Sequence, residues 1–317
     1  MCISCGILIH TISRFVSRKK RVFQPAAYFW PVAIDRRPGA NIQVTQKVLA
    51  ALRKPLKMAE QPPVSAAAKH RAADVSAGKR FQLFGGKCSD DARKNMLLDD
   101  VAIYSVTDAR TADRITKTAL ALPGGPHREV CDGCACVGGN VISFARALRK
   151  GGRVTGIEFD ATRCEFLKHN VATAGVPAEI LRGDVARATA EEDTDDGDGW
   201  ACRSAVRRAD LLFLDPPWGG PEVARKPAGS VRLHLGGVDV GELCRRVAGA
   251  GFRARHVLLK LPPNYDVAFL TETLAGVAAV KVDPAFRKMI LAVVSFRRGG
   301  DGGGGGGGEK QQEGVKE

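Results

Sequence analysis

The chain has 317 residues, of which 44% are hydrophobic and 26% charged, so it is long enough for one or two globular domains with a well-buried core. The formal net charge of +14 is uneven, because residues 1–80 carry 15 basic and three acidic side chains and so hold +12 of it. The nine cysteines show no even spacing, which argues against a disulfide framework and favours a reduced intracellular compartment.

The first 80 residues are rich in Ala, Pro and basic side chains, and we expect them to form a loosely ordered extension. A basic arm favours polyanions such as RNA through counterion release, and a solvated leader explains the composition equally well. Residues 1–16 are apolar but too short and interrupted to span a membrane, so no membrane partner is expected. The following basic run Arg18–Arg21 is compatible with nuclear import, and the same region is compatible with a mitochondrial presequence.

From residue 81 the sequence pattern alternates between strands and helices. The predicted strands are Glu129–Asp132, Val154–Glu158, Ala178–Leu181, Ala209–Leu214, His256–Leu261 and Lys288–Phe296. The predicted helices are Gly139–Arg149, Ala161–Ala174, Val238–Ala250 and Val267–Leu274. Parallel strands need crossover helices, so this order predicts an α/β fold with a doubly wound, mostly parallel sheet over residues 81–298. An acidic loop at 191–198 has the character of an insertion, and residues 299–317 form a Gly-rich tail.

The first motif is the segment Val130–Asn140, VCDGCACVGGN, in which a strand ends in Asp132 and small residues lead into a helix. Small side chains let a ligand approach the backbone, and a helix N-terminus offers N–H donors and a positive dipole end. Asp132 can face an ammonium group while the amides face a carboxylate, which suits a ligand with an amino-acid moiety such as S-adenosyl-L-methionine. The cysteines of this turn lack partners at zinc-finger spacing, so no metal site is predicted.

Two more acids follow strand ends. Glu158 closes the second strand about 20 residues after the glycine-rich turn, where an acid can accept hydrogen bonds from ribose hydroxyls, although a surface acid would give the same pattern. Asp160 is expected to cap the next helix. Asp184 follows the third strand and can accept a hydrogen bond from an adenine amine or simply form a turn.

The strongest motif is Leu214–Pro221, LDPPWGGP, which follows the buried strand Ala209–Leu214. Two prolines stiffen the turn, so that Asp215 and the Pro216 carbonyl can both accept hydrogen bonds from one NH2 group. Trp218 offers an aromatic face to a base. Holding and orienting an amine beside a methyl donor is what methylation of an exocyclic amine requires.

These motifs resemble the trimethylguanosine synthase family, which are class I S-adenosyl-L-methionine-dependent methyltransferases acting on guanosine N2 of RNA caps. The resemblance rests on the turn Asp132–Asn140, on Pro216–Pro221 (PPWGGP), on Tyr104–Thr107 (YSVT), on Leu83–Phe84 and on Leu261–Asn264 (LPPN). It implies a seven-stranded Rossmann-like sheet, S-adenosyl-L-methionine as cofactor, and conversion of the 7-methylguanosine cap of small nuclear or nucleolar RNA to the 2,2,7-trimethylguanosine cap.

The resemblance also implies roles for individual residues. Asp215 and Pro216 would orient N2, and Trp218 would stack on the cationic 7-methylguanine, a contact that contributes about 0.5–2 kcal/mol. The implied cofactor-binding residues are Thr107, Asp132, Gly138, Glu158 and Asp184, with Tyr104 helping to close that site. Lys260 and Asn264 would lie near the cap phosphates or base.

The chain departs from the family at three places. Ala135-Cys136 stands where the family has Cys-Gly, Asp215 stands where Ser is frequent, and Pro263 stands where a basic residue is frequent. These differences bear on cofactor affinity, on which base is methylated and on phosphate contact, respectively.

Two other functions are compatible with the sequence. One is an amino-methyltransferase that acts on another base in rRNA, tRNA or DNA, and the other is a catalytically weak cap-binding scaffold. For the cap enzyme we expect capped RNA and ribonucleoprotein proteins as partners, and a nuclear location (nucleolus or Cajal-like bodies), with cytoplasm as the alternative.

Overall fold

The computed structural model describes residues 75–190 and 198–297, with side chains from residue 199 in the second range. All of them belong to one compact unit, Pro62–Glu317, whereas a second unit, Met1–Gln61, lies outside the described residues. The expected extension up to residue 74, nearly all of the acidic loop and the Gly-rich tail therefore also lie outside them. No helix within the described ranges has the length and apolar character needed to cross a membrane.

The fold alternates helices and strands along the chain. The helices are α1 (Ala77–Phe84), α2 (Asp90–Asn95), α3 (Ala102–Ser105), α4 (Ala109–Leu120), α5 (Gly139–Ala147), α6 (Ala161–Thr173), α7 (Val185–Ala188), α8 (Asp198–Arg208), α9 (Pro221–Ala224), α10 (Val240–Ala248) and α11 (Val267–Thr273). The strands are β1 (Glu129–Asp132), β2 (Arg153–Glu158), β3 (Glu179–Arg182), β4 (Leu211–Leu214), β5 (His234–Leu235), β6 (Val238–Asp239), β7 (His256–Leu261), β8 (Ala278–Val282) and β9 (Ile290–Phe296).

The main sheet has seven strands in the order β3-β2-β1-β4-β7-β9-β8, and a separate hairpin joins β5 to β6. The five strands β3, β2, β1, β4 and β7 run parallel, while β9 runs antiparallel between β7 and β8. The prediction of a doubly wound, mostly parallel seven-stranded sheet is therefore confirmed. The strand order reverses between β1 and β4, and in such sheets the ligand crevice lies outside the carboxyl ends of the strands at this point.

Two apolar layers cover the sheet, one on each face. Successive residues of β4 face opposite sides, so Leu211 and Phe213 join a cluster with α4, α5 and α6, whereas Leu212 and Leu214 join a cluster with α8, α10 and α11. All four β4 side chains are buried, which explains the continuous apolar run of this central strand.

The segment ahead of β1 is fastened to the rest of the domain by buried polar groups. Arg80 is buried and donates to the carbonyls of Val75, Arg93 and Met96. Asn170, fully buried on α6, accepts from the Leu97 amide at 2.7 Å and donates to the carbonyls of Leu97 and Val137, both at 2.9 Å. The first described helix, α1, thus begins a few residues before position 81, and Asn170 ties this segment to the turn that follows β1.

Several elements differ from the sequence prediction, and the four helices before β1 and the β5–β6 hairpin are among those not predicted. The edge strand β8 was not predicted, because only its first residue, Ala278, is buried and its apolar run is short. Helix α10 begins at Val240 rather than Val238, since the Asp239 carboxylate accepts from the Gly241 amide at 2.8 Å and caps the helix there. Helix α8 follows the acidic segment directly, where no helix was predicted.

Candidate active site

The turn between β1 and α5 forms the first wall of the site. Gly138 caps α5 with a φ of 105°, a left-handed conformation that favours glycine, and no side chain caps the helix. A Cβ on the next residue, Gly139, would lie 2.4 Å from the Thr107 carbonyl oxygen, so only glycine lets the segment before α4 approach this closely. The first amides of α5 are therefore left for an anionic group.

Asp132, at the end of β1, is almost completely buried. Its Oδ1 accepts from the Cys134 amide at 3.1 Å, while Oδ2 has no hydrogen-bond partner among the described residues. Burial raises the pKa of Asp132 to about 8, and the nearby carboxylates of Asp215 and Glu158 act in the same direction. An unpartnered buried carboxyl group of this kind fits a ligand ammonium that pairs with it.

Glu158, at the end of β2, is held between the turn and the next helix. Its Oε2 accepts from the Cys136 amide at 2.8 Å, and its Oε1 accepts from the Asp160 amide at 2.9 Å. Arg163 on α6 lies 3.5 Å from Oε1 and also reaches Asp99 at 3.4 Å. Each carboxylate oxygen retains a second lone pair, so Glu158 can still accept from ribose hydroxyls. Asp160 caps α6 by accepting from the Arg163 amide, as expected for this helix start.

Cys136 occupies a position where backbone shape matters. Its φ of 49° is in the left-handed region, and no other non-glycine residue of the described ranges has a positive φ. The left-handed conformation is one that glycine adopts without steric strain. The trimethylguanosine synthase family, which the sequence resembles, has glycine where this chain has Cys136, and the left-handed backbone explains that preference.

Asp184 lies two residues after the end of the edge strand β3, farther along the same sheet edge. Its Oδ1 accepts from the Ala186 amide at 2.8 Å and caps the short helix α7. Its Oδ2 points toward the turn of the β5–β6 hairpin, since a Cβ on Gly236 would lie 2.7 Å from it. The structure thus gives Asp184 a capping role and leaves its adenine contact a prediction.

The second wall is a buried polar group at the ends of β4 and β7. Lys260 Nζ donates to Asp215 Oδ2 at 2.6 Å, and the Thr107 hydroxyl donates to the same oxygen at 3.2 Å. The side-chain Nδ2 of Asn140, on α5, donates to Thr107 Oγ1 at 2.9 Å, so α5 positions this hydroxyl. Burial raises the pKa of Asp215, and the Lys260 ammonium and both hydrogen bonds oppose that shift.

Trp218 lies beside this group. Its side chain is half-buried and packs against the apolar layers of both sheet faces, and its indole N–H donates to the Lys260 carbonyl at 3.3 Å. The Lys260 ammonium lies 5.2 Å from the centroid of the ring. The indole therefore lies near the Lys260 side chain, whose ammonium pairs with Asp215. Among the described residues no N–H or O–H group donates to the Pro216 carbonyl.

Asn264 supports the loop that follows Trp218. Its Nδ2 donates to the carbonyls of Val223 at 2.7 Å and Lys226 at 3.0 Å. The main-chain carbonyl of Asn264 accepts from the main-chain amides of Ser230 and Val231. Its Oδ1 has no partner among the described residues. The side chain thus holds a loop in place, and its contact with a substrate remains a prediction.

The structure brings together Asp132, Glu158, Thr107, Asp215, Lys260 and Trp218 at one edge of the sheet. Sequence reasoning assigned no role to Asn140, although its place directly after two glycines at a helix start was a usable signal. It also missed Phe159, which follows Glu158 and is 73% exposed, and it did not foresee that Tyr104 would be 87% exposed on α3. Exposed aromatic rings at this rim can cover a planar ligand such as a nucleobase.

The site fits S-adenosyl-L-methionine on its own geometry. The uncapped start of α5 suits the ligand carboxylate, the unpartnered Oδ2 of Asp132 suits its ammonium, and Glu158 suits its ribose. No group of three or more His, Cys, Asp or Glu side chains suited to a metal ion occurs within the described ranges.

Comparisons with known proteins indicate the family of this chain. A family model described as RNA cap guanine-N2 methyltransferase matches residues 127–289, about half of the chain. The chain is 29% identical over 160 residues to "Uncharacterized protein L320" of Acanthamoeba polyphaga mimivirus, covering 50% of this chain and 55% of that protein. It is 30% identical over 132 residues to the trimethylguanosine synthase of Schizosaccharomyces pombe, covering 41% of this chain and 48% of that protein.

The chain thus spans about half the length of the curated relatives it matches. Among solved structures, the Thermus thermophilus 16S rRNA N2 G1207 methyltransferase in complex with AdoMet and guanosine has 20% sequence identity and a TM-score of 0.42, covering 61% of this chain and 45% of that chain. The segment matched by the family model contains Asp132, Glu158, Asp215, Trp218 and Lys260. The chain belongs to the RNA cap guanine-N2 methyltransferase family.

Proposed function

We propose that this protein methylates N2 of the 7-methylguanosine cap of small nuclear or nucleolar RNA and produces the 2,2,7-trimethylguanosine cap. The family supports an N2-methyltransferase that uses S-adenosyl-L-methionine, and the fission yeast relative carries the name of the cap enzyme. The observation that carries the proposal is the position of Trp218, whose indole lies next to Lys260, the residue that pairs with Asp215.

The chain's own contribution to this reaction is orientation. Asp215 Oδ1 and the Pro216 carbonyl would accept hydrogen bonds from the guanine NH2, while the Trp218 ring would support the base. When bound, S-adenosyl-L-methionine would supply a methyl group through cleavage of its sulfur–methyl bond, with S-adenosyl-L-homocysteine as the leaving group. The amine nitrogen would become positively charged as it gains the methyl group and would then release a proton to water, and the Asp215 carboxylate would stabilise that charge.

One contact favours a second candidate, an amino-methyltransferase for a base that carries no positive charge. The Lys260 ammonium lies 5.2 Å from the Trp218 centroid, where it would repel a cationic 7-methylguanine, while the adjacent Asp215 carboxylate offsets part of that repulsion. Asp215 also stands where the resembled family often has Ser. The balance between Lys260 and Asp215 therefore decides between the two candidates.

A methyl-transfer assay with matched caps tests the proposal. The purified full chain is incubated with S-adenosyl-L-methionine and either a 7-methylguanosine cap dinucleotide or its unmethylated counterpart, and the products are weighed by mass spectrometry. We expect the 7-methylguanosine cap alone to gain methyl groups at N2. Equal methylation of both caps would instead support the second candidate, and cofactor binding by calorimetry without any methyl transfer would support a cap-binding scaffold.

The partners and location that go with this function are also proposals. The basic composition of residues 1–80 supports binding to capped RNA, and the run Arg18–Arg21 supports import into the nucleus. Ribonucleoprotein proteins that carry such RNAs would be partners. Microscopy of a tagged full chain, compared with a variant in which this basic run is replaced by glutamine, tests the location.

A further inference from the structure

A cleft of about 530 Å3 lies between α4 and α5, and none of its lining residues belongs to the candidate active site. Four basic side chains and one acid line it: Lys87, Lys117, Arg146, Arg149 and Asp113. The chain from residue 81 onward carries 33 basic and 31 acidic side chains and is nearly neutral, so this excess of positive charge is local.

The one acid of the cleft is already engaged. Asp113 Oδ2 pairs with Lys87 at 2.7 Å, and Oδ1 accepts from the Ser143 hydroxyl at 2.8 Å. Ser143 in turn accepts from the Thr116 hydroxyl at 2.9 Å, and both hydroxyl-bearing residues are buried. This chain of hydrogen bonds fixes the floor between the two helices and leaves Asp113 little capacity to neutralise the other cations.

The other three cations have no acidic partner among the described residues. Within the described part of the chain, no carboxylate forms an ion pair with Lys117, Arg146 or Arg149. Lys117 and Arg149 are exposed, while Arg146 is held against the Cys88 thiol at 2.7 Å. A concave surface with three uncompensated cations is complementary to a chain of phosphates.

The cleft is connected to the active site by the two helices that form it. Helix α4 begins two residues after Thr107, and α5 begins at Gly139, directly after Gly138, which is one of the predicted cofactor-binding residues. The seven steps from Gly139 to Arg146 rise about 10 Å along α5. A nucleic acid chain whose first nucleotide sits beside Trp218 can therefore reach the cleft within a few nucleotides.

We propose that the cleft between α4 and α5 binds the phosphate backbone of the RNA chain that follows the cap. This inference rests on the proposed function, because it takes capped RNA as the ligand. It makes the cleft a sequence-independent contact that strengthens binding of long RNA without touching the methylated base.

Two double variants of equal charge change test the proposal. Lys117→Gln with Arg149→Gln removes two cations from the cleft, whereas Arg245→Gln with Arg246→Gln removes two from α10 on the opposite face of the sheet. Fluorescence anisotropy measures the affinity of each for a 7-methylguanosine-capped single-stranded oligonucleotide over a range of salt concentrations. The melting temperature of each variant checks its folding.

We expect the cleft variant to bind the oligonucleotide about tenfold more weakly at low salt and to lose about 1.4 from the slope of log affinity against log salt, which corresponds to two phosphate contacts. Its affinity for the cap dinucleotide, and methyl transfer to it, should be unchanged. The α10 variant should match the wild type.

Equal weakening in both double variants, or weakening in neither, would overturn the proposal. Failure of the wild type to methylate the cap dinucleotide would overturn the proposed function instead, and the anisotropy comparison would still test the cleft.

Discussion

Lys260 and Asp215 form a buried ion pair, 2.6 Å from Nζ to Oδ2, that joins the end of β7 to the end of β4. Only 11% and 12% of the two side chains are exposed, so water screens the pair little. A buried carboxylate that loses its cation is left with an uncompensated charge, which is far less favourable than removal of both groups. The pair therefore couples the stability of the domain to the chemistry of its site.

This coupling predicts the outcome of a double-mutant cycle. Lys260→Met should lower the free energy of unfolding by about 3–5 kcal/mol, because it leaves the buried Asp215 carboxylate without a cation. Lys260→Met combined with Asp215→Asn should be less destabilised than the sum of the two single variants by more than about 1 kcal/mol. Urea denaturation of all four proteins measures these differences. Additive effects within about 0.5 kcal/mol would show that the two groups do not interact.

Trp218→Leu should remove the aromatic face while keeping apolar packing against both layers. Loss of base stacking, worth about 1–3 kcal/mol, should weaken cap binding about tenfold to hundredfold, whereas cofactor affinity should stay the same. Methyl-transfer kinetics and calorimetry measure the two effects separately. Trp200→Leu is the matched control, because Trp200 is 68% exposed on α8. A Trp218 variant with unchanged cap affinity would contradict the role of the indole.

Binding of S-adenosyl-L-methionine should tighten with pH between about 6 and 7.5. The pKa of Asp132 is raised to about 8, so below that pH the carboxyl group is mostly protonated and must release a proton to pair with the ligand ammonium. The dissociation constant should fall by up to about tenfold per pH unit in this window. The ligand amine itself begins to deprotonate near the ordinary α-amino pKa of about 7.7–8.0, which sets the upper limit of the range.

Calorimetry in two buffers with different ionisation heats would detect the released proton. Asp132→Asn should bind more weakly and without this pH dependence. A dissociation constant for the wild type that is flat over the same range would contradict an ammonium contact at Asp132.

Cys136→Gly should be more stable than Cys136→Ala by about 1 kcal/mol, because glycine adopts the left-handed φ of 49° without the strain that any Cβ causes. Thermal and urea denaturation compare the two variants. The same pair of substitutions at Cys134, which has no positive φ, should give the opposite order. If alanine is the more stable residue at both positions, the turn relaxes to another backbone conformation.

Much of the fold was predictable because the central strands are buried and their sequences are mostly apolar. Leu211–Leu214 and His256–Leu261 are buried along their whole length and read as short apolar runs, and β1 was predicted with its observed bounds. Strand β8 was missed because an edge strand buries only part of one face, and its apolar run of Ala278–Val280 is too short to indicate a strand.

The site was predictable where a residue ends a strand and less so where its partner is distant in sequence. Asp132, Glu158 and Asp215 follow from strand ends alone. The contact of Lys260 with Asp215 joins residues 45 positions apart, and no local pattern indicates it. Asn140 is likewise tied to Thr107 across 33 positions. Such contacts depend on strand order and on the docking of α4 against α5.

The antiparallel strand β9 lies between β7 and β8 and begins at Ile290, one residue beyond the segment that the family model matches. A recombinant fragment trimmed to 127–289 would leave β7 and β8 each with an open hydrogen-bonding edge, a known route to aggregation. It would also lack Thr107 and every helix before β1. Expression boundaries for this protein should therefore include α1 at one end and Phe296 at the other.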